Sequence, residues 1–189
     1  LKKAQEYENF LRIDMENSLF TDQTIEIYHH CKTIYNKVGV VIQSYLHRSI
    51  DDILILANDQ FNSRICKGIY KESEHIAYQN REEIQDNFLT LAKAMATRNA
   101  YSAFATHDQE LIDRLLDWII TDKVPKDLFE FQVLYGVPMN GRLEALLGAG
   151  YKVRVYVPYG PDWFDYSVRR LKENPKIISY VLKNFFRKR

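Results

Sequence analysis

Six times along this chain a short apolar run is followed by a turn and then by a longer amphipathic stretch, and this alternation limits the folds open to it. The apolar runs cover residues 10–15, 38–46, 64–70, 101–106, 129–135 and 153–157. The helix-like stretches between them cover 22–35, 50–57, 81–96, 108–120 and 141–147. Within the fourth of these, Leu111, Ile112, Leu115, Leu116 and Ile119 recur at steps of three and four, the period of one helix face. Strands that alternate with helices imply βαβ units and a parallel sheet. Across 189 residues the units average about 31 each, the unit size of a (β/α)8 barrel, which typically runs to about 250 residues. An open doubly wound sheet also satisfies the pattern. Gly148 and Gly150, just ahead of the last strand, suit the left-handed cap that ends a helix. No G-x-G-x-x-G follows the first strand, which counts against a Rossmann nucleotide site.

Composition removes several classes of function. Lys+Arg of 26 against Asp+Glu of 25 leaves a net charge of +1, without the basic excess of a nucleic-acid surface. No apolar run reaches the roughly 20 residues of a membrane span. Cys31, in a helical stretch, and Cys66, in a strand, make neither a disulfide framework nor a zinc site, and fit a reducing compartment. Residues 1–6 have the character of a solvent-facing helix already under way, so the natural chain is expected to begin earlier.

Polar residues recur at the strand ends, where barrels do chemistry. They are Asp14 and Glu16, Gln43, Arg64 and Lys67, Thr106 and His107, Glu130 and Gln132, and Tyr156. Charge in a strand covered on both faces is costly unless paired or functional, and its recurrence on strand after strand favours a polar mouth and a closed barrel. Each residue keeps alternatives. Asp14 and Glu16 suit an acid–base pair, metal ligands, a helix cap or a pairing with a neighbouring arginine. Lys67 suits a Schiff base, and His107 a ligand contact or a structural role, with Asp108 as the N-cap of the next helix. Past the last strand, Pro158 and Gly160-Pro161 end the strand and open a helix. On that helix Tyr166, Arg169, Arg170 and Glu173 stand at three- and four-residue steps. Adjacent guanidinium forks suit a small carboxylate held bidentately, and a solvated face with an Arg/Glu pair is the alternative.

The motifs Arg12-Ile13-Asp14-Met15-Glu16, Val41-Ile42-Gln43-Ser44-Tyr45-Leu46, Arg64-Ile65-Cys66-Lys67-Gly68, Ala105-Thr106-His107-Asp108, Phe129-Glu130-Phe131-Gln132-Val133-Leu134-Tyr135-Gly136 and Tyr166-x-x-Arg169-Arg170-x-x-Glu173 occur in this order. So arranged, over residues 10–174, the chain resembles the proline dehydrogenases. The resemblance implies an α/β fold, a (β/α)8 TIM-type barrel, of which this chain holds about the last six β/α units, with residues 1–189 the C-terminal part of one barrel domain. It implies FAD as cofactor, L-proline as substrate, Δ1-pyrroline-5-carboxylate as product and a quinone at a membrane surface as electron acceptor. It implies a cytoplasmic protein peripheral to the inner membrane, with no nucleic acid or metal.

Carried over, Arg64 and Asp14 would be the catalytic pair, Arg64 near the reactive flavin nitrogen and Asp14 orienting an arginine. Arg169, Arg170, Tyr166, Tyr156, Leu134 and Ile65 would bind proline. Gln43, Arg64, Lys67, Gly68, Thr106, His107 and Glu173 would contact FAD. The family's early substrate lysine has no counterpart here, and six strands are two short of closure; both fit a partial barrel. The competing readings are another flavin barrel, such as a methylenetetrahydrofolate reductase, which gives no reason for the paired arginines, and a barrel remnant that has lost flavin.

Overall fold

A computed structural model of the chain describes residues 1–161. The strands are β1 (Leu11–Ile13), β2 (Val38–Gln43), β3 (Asn62–Cys66), β4 (Tyr101–Ala105), β5 (Phe129–Leu134) and β6 (Val153–Tyr156), and they form a single sheet in sequence order. The helices are α1 (Lys2–Glu6), α2 (Thr21–Ile34), α3 (Ser49–Leu56), α4 (Arg81–Ala96), α5 (Gln109–Thr121) and α6 (Arg142–Gly148), with a 3-10 turn at Ser18–Phe20. Pairing is parallel from β1 through β4, and again between β5 and β6. The expected α/β architecture of six strands alternating with helices, with parallel pairing, is therefore present among the described residues. The described residues fall into two compact units, Leu1–Glu130 and one that begins at Phe131.

In the first unit the strands sort their residues between two faces by simple alternation. The Phe104 ring meets Phe88 of α4 at 6.3 Å and Trp118 of α5 at 6.4 Å, so its face carries the helices. Ile65 is in register with Phe104 and shares that face. Arg64 and Cys66, in register with Ala103 and Ala105, point the other way. All six residues of β2 are buried, as expected of a strand covered on both sides. On α5, Leu111, Ile112, Leu115 and Ile119 are buried as the period requires, while Leu116 is only half-buried and Trp118 is buried in its stead. The Trp118 indole donates to Asp122 at 2.8 Å, so its polar edge is satisfied.

Two strand ends differ from the apolar runs. β3 begins at Asn62 and stops at Cys66, because Gly68 adopts φ +99° and turns the chain out of the sheet. β2 stops at Gln43, yet the N–H groups of Ser44 and Tyr45 still donate to Cys66 and Lys67 at 2.7 and 2.9 Å. The N-terminal stretch is the expected solvent-facing helix, with no buried residue in α1. Cys31 on α2 and Cys66 on β3 are both half-buried.

Gly39 leaves the space that the side chain of Arg12 crosses. From β1, Arg12 donates through Nη1 to the Asn62 carbonyl at 2.8 Å and through Nη2 to the Asn62 side chain at 2.6 Å, with its guanidinium 4.8 Å from the Phe10 ring. A Cβ at Gly39 would stand 2.4 Å from the Asn62 carbonyl oxygen and 2.5 Å from Arg12 Nη1. Gly39→Ala is therefore expected to destabilise the fold by about 1–3 kcal/mol, the usual cost of an overpacked site. Urea unfolding of both proteins checks this, and an unchanged midpoint would show that the Arg12 clamp yields freely.

In the second unit, Phe131 pairs with Val153 and Leu134 with Tyr156. Gly150, at φ +76°, closes α6: its N–H donates to Leu147 at 2.9 Å, and that of Tyr151 to Leu146 at 3.0 Å. This doubled bond is a Schellman cap. Of the two glycines expected to share that role, Gly148 is instead the last helical residue.

Candidate functional site

From the middle of β3, Arg64 projects from the face opposite the helices and remains half-buried. Its Nη1 lies 3.9 Å from Asp14 Oδ1, beyond β1. Asp14 is 80 % exposed, so the pair contributes orientation more than stability. The same Asp14 oxygen accepts the Met15 N–H at 3.2 Å. His107 follows β4, where burial first and the Arg64 charge second push its pKa below the ordinary histidine value. At neutral pH the ring is thus an uncharged imidazole, able to accept or donate a hydrogen bond without adding charge.

Gln43 ends β2 with its side chain buried. Its amide nitrogen makes a long 3.4 Å bond to the Met15 carbonyl, and its Oε1 is buried with no hydrogen-bond partner among the described residues. A buried acceptor left unpaired costs free energy, so this oxygen calls for a partner beyond the described residues.

Lys67 turns to Asp108, with which it forms an ion pair and a hydrogen bond. Asp108 Oδ1 also accepts Arg81 Nη2 at 2.9 Å, and Oδ2 accepts Gln85 Nε2 at 2.8 Å. Burial, the largest single influence, raises the Asp108 pKa. The hydrogen bonds from Arg81, Lys67 and Gln85, with the Lys67 charge, outweigh it and hold the carboxyl well below the usual range. Asp108 occupies the N-cap position of α5 as expected, but its side chain makes no cap hydrogen bond. Thr106, buried at the end of β4, accepts the Asp108 N–H at 3.1 Å.

The connection between β3 and α4 is laced to its neighbours. Tyr70 donates to Glu16, the Ser18 N–H donates to Glu72 at 2.8 Å, and the Tyr78 N–H donates to Tyr45 at 2.8 Å. Glu16 thus has a phenol partner and Asp14 an arginine. What demands glycine at 68 is the positive φ and the Tyr45 ring, whose Cδ1 would lie 2.1 Å from a Cβ there.

The structure brings Asp14 within 3.9 Å of Arg64, whose charge acts on His107, and gathers Lys67 and Gln85 on Asp108. It corrects Ile65, expected as a pocket wall: strand alternation sets its side chain on the helix-packed face, fully buried, opposite Arg64. Leu134 and Tyr156 are neighbours across β5 and β6, with Tyr156 half-exposed. Tyr166, Arg169, Arg170 and Glu173 lie outside the described residues. Sequence reasoning missed Arg81 and Gln85 altogether and took Asp108 for a cap. The available signal was a carboxylate directly after Thr106-His107 at a strand end.

Parallel β/α units, with Gln43, Lys67 and His107 at or just past the strand C-termini and Arg64 within β3, define an α/β protein of barrel type, a fold whose active sites sit at the strand ends. The chain belongs to the proline dehydrogenase family, whose sequence profile matches residues 1–182. It is 39% identical over 188 residues to proline dehydrogenase 1 of Bacillus subtilis (strain 168), covering 100% of this chain and 62% of that protein. It is 35% identical over 189 residues to proline dehydrogenase of Deinococcus radiodurans, covering 99% of this chain and 61% of that one. Among solved structures, proline utilization A from Bdellovibrio bacteriovorus, inactivated by N-propargylglycine, matches 92% of this chain and 20% of its own, with a TM-score of 0.80 and 27% identity. The chain thus spans about three-fifths of the length of the curated relatives it matches.

Proposed function

We propose that this chain is the part of a proline dehydrogenase that holds FAD and oxidises L-proline to Δ1-pyrroline-5-carboxylate, and that residues 1–189 belong to one barrel domain. The observation that carries this reading is the β2–β4 end. There the Arg64 charge acts on a neutral His107, and Gln43 offers a buried acceptor with no partner among the described residues. This donor and acceptor set fits a flavin, whose ring system presents both hydrogen-bond donors and acceptors and gains negative charge on reduction. When bound, the flavin supplies the two-electron acceptor for the carbon–hydrogen bond next to the proline nitrogen.

The chain's own residues do the rest. Gln43, Arg64, Lys67, Thr106 and His107 hold the cofactor, joined by Gly68 and Glu173. Arg64 and Lys67 place positive charge where negative charge develops, without reorganising during the reaction. Asp14 orients Arg64. Arg169 and Arg170 grip the proline carboxylate, so the ring is presented in one orientation and the encounter becomes effectively unimolecular. Tyr166, Tyr156 and Leu134 enclose the ring. A quinone would take the electrons on. Among the described residues no helix is long and apolar enough to cross a membrane, and the reading is of a cytoplasmic protein that meets the quinone at the inner-membrane surface.

The full-length protein supplied with L-proline and a soluble quinone should form a product that condenses with o-aminobenzaldehyde. No adduct would count against the reading. Substrate choice gives a finer test. Tyr156 leaves little room for a ring hydroxyl, and an added polar group without a partner is penalised on desolvation. Proline is expected to be preferred over trans-4-hydroxyproline in kcat/KM, and Tyr156→Ser should narrow that preference by about tenfold, the value of one good packing or hydrogen-bond contact. An unchanged ratio would remove Tyr156 from the pocket wall.

A further inference from the structure

We propose that Asp108 is a positioning residue for Lys67, fixing its ammonium for the cofactor, an inference that rests on Lys67 being a flavin contact. A lysine is a point charge on a flexible four-carbon stem, and holding it in one place costs conformational entropy unless a partner fixes it. Asp108 is built to be that partner. Its side chain is only 11% exposed. Its main chain is tied to the end of β4 through Thr106 Oγ1 at 3.1 Å. Its carboxylate is gripped from α4 by Arg81, whose Nη2 lies 2.9 Å from Oδ1 and Nε 3.3 Å from Oδ2, and by Gln85 at 2.8 Å. The negative charge also sits at the N-terminal, positive end of α5, while the side chain caps no backbone N–H of that helix.

α4 is already joined to α5 and its N-terminus by Arg81 and Gln85 on Asp108, by Arg81 on Glu110 and by Arg114 on Asp86. The additional donor, Lys67, comes from just past β3, three residues after Arg64 on the same motif. A carboxylate so anchored gives the ammonium one preferred position while leaving its other two N–H donors for a ligand. Arg81, 65% exposed, would serve to hold Asp108 and not the cofactor.

The test is a double-mutant cycle on FAD affinity in the full-length apoprotein, followed by quenching of flavin fluorescence, with thermal melting alongside. Lys67→Met should weaken FAD binding by about tenfold or more, the scale of one charge-assisted hydrogen bond. Asp108→Asn, which keeps the volume and one acceptor, should weaken it by a smaller factor. The double variant should match Lys67→Met within about twofold, because Asp108 acts only through Lys67. Arg81→Ala, which loosens one anchor of Asp108 but leaves Lys67 and Asp108 paired, should weaken FAD binding by no more than Asp108→Asn does, even if it melts earlier. Independent losses that multiply in the double variant, or an Asp108→Asn protein that binds FAD like wild type, would overturn the positioning role. Unchanged affinity in Lys67→Met would overturn the reading of Lys67 beneath it and the proposal with it. If Asp108→Asn does not fold, Asp108→Glu takes its place in the cycle, where multiplying losses would again overturn the proposal.

Discussion

Arg64→Met is expected to lower proline turnover by about 100-fold or more while leaving the protein folded. Removing one preorganised group aimed at developing charge typically costs two to three orders of magnitude. Methionine keeps much of the side-chain length and apolar stem, so packing beside Val41 and Ala103, the register neighbours of Arg64, should survive. The Asp14 pair it breaks has one partner largely in solvent and contributes little to stability. Loss of the Arg64 charge also removes one of the two influences that keep His107 neutral, so the His107 pKa should rise in the variant. Steady-state kcat, a melting curve and a histidine NMR titration check all three points. Turnover within tenfold of wild type would take Arg64 out of the reacting centre.

For the paired arginines, Arg169→Lys and Arg170→Lys are each expected to lower kcat/KM for proline by about 10- to 100-fold, mainly through KM, with flavin content unchanged. Lysine preserves the charge but not the planar fork that meets both carboxylate oxygens. Loss of a charge-assisted hydrogen bond costs about 1.5–3 kcal/mol. A wild-type KM in both variants would mean that the carboxylate is held elsewhere. The comparison of KM with flavin absorbance separates a binding defect from a folding defect.

The helices were legible because their signals are local. α4 spans Arg81–Ala96 as the sequence indicates, since Asn80 caps its first turn by accepting the Glu82 N–H at 2.8 Å. α2, α3, α5 and α6 lie within a residue of expectation for similar reasons of period and punctuation. The strand ends were less legible. The run through Lys67 to Tyr70 looks apolar enough to continue β3, and only the turn at Gly68 ends it. Ile65 and Arg64 shared a motif, but neighbours on a strand point to opposite faces, so both could not line the same surface. Asp108 was missed for a different reason. Its partners Lys67, Gln85 and Arg81 lie 41, 23 and 27 residues away, and no periodicity reports which polar side chains meet across that distance. Gln43 was legible as a polar residue at a strand end, whereas its unpartnered oxygen became visible only with the packing around it.

The central claim, a flavin reduced by proline at this site, is tested most directly by an anaerobic titration of the purified full-length protein with L-proline, followed by visible absorbance. The account predicts a yellow protein whose flavin bands bleach on adding proline and return on adding a quinone, with bleaching strongly slowed in Arg64→Met. A colourless protein that takes up no added FAD, or flavin bands that proline leaves unchanged, would contradict it.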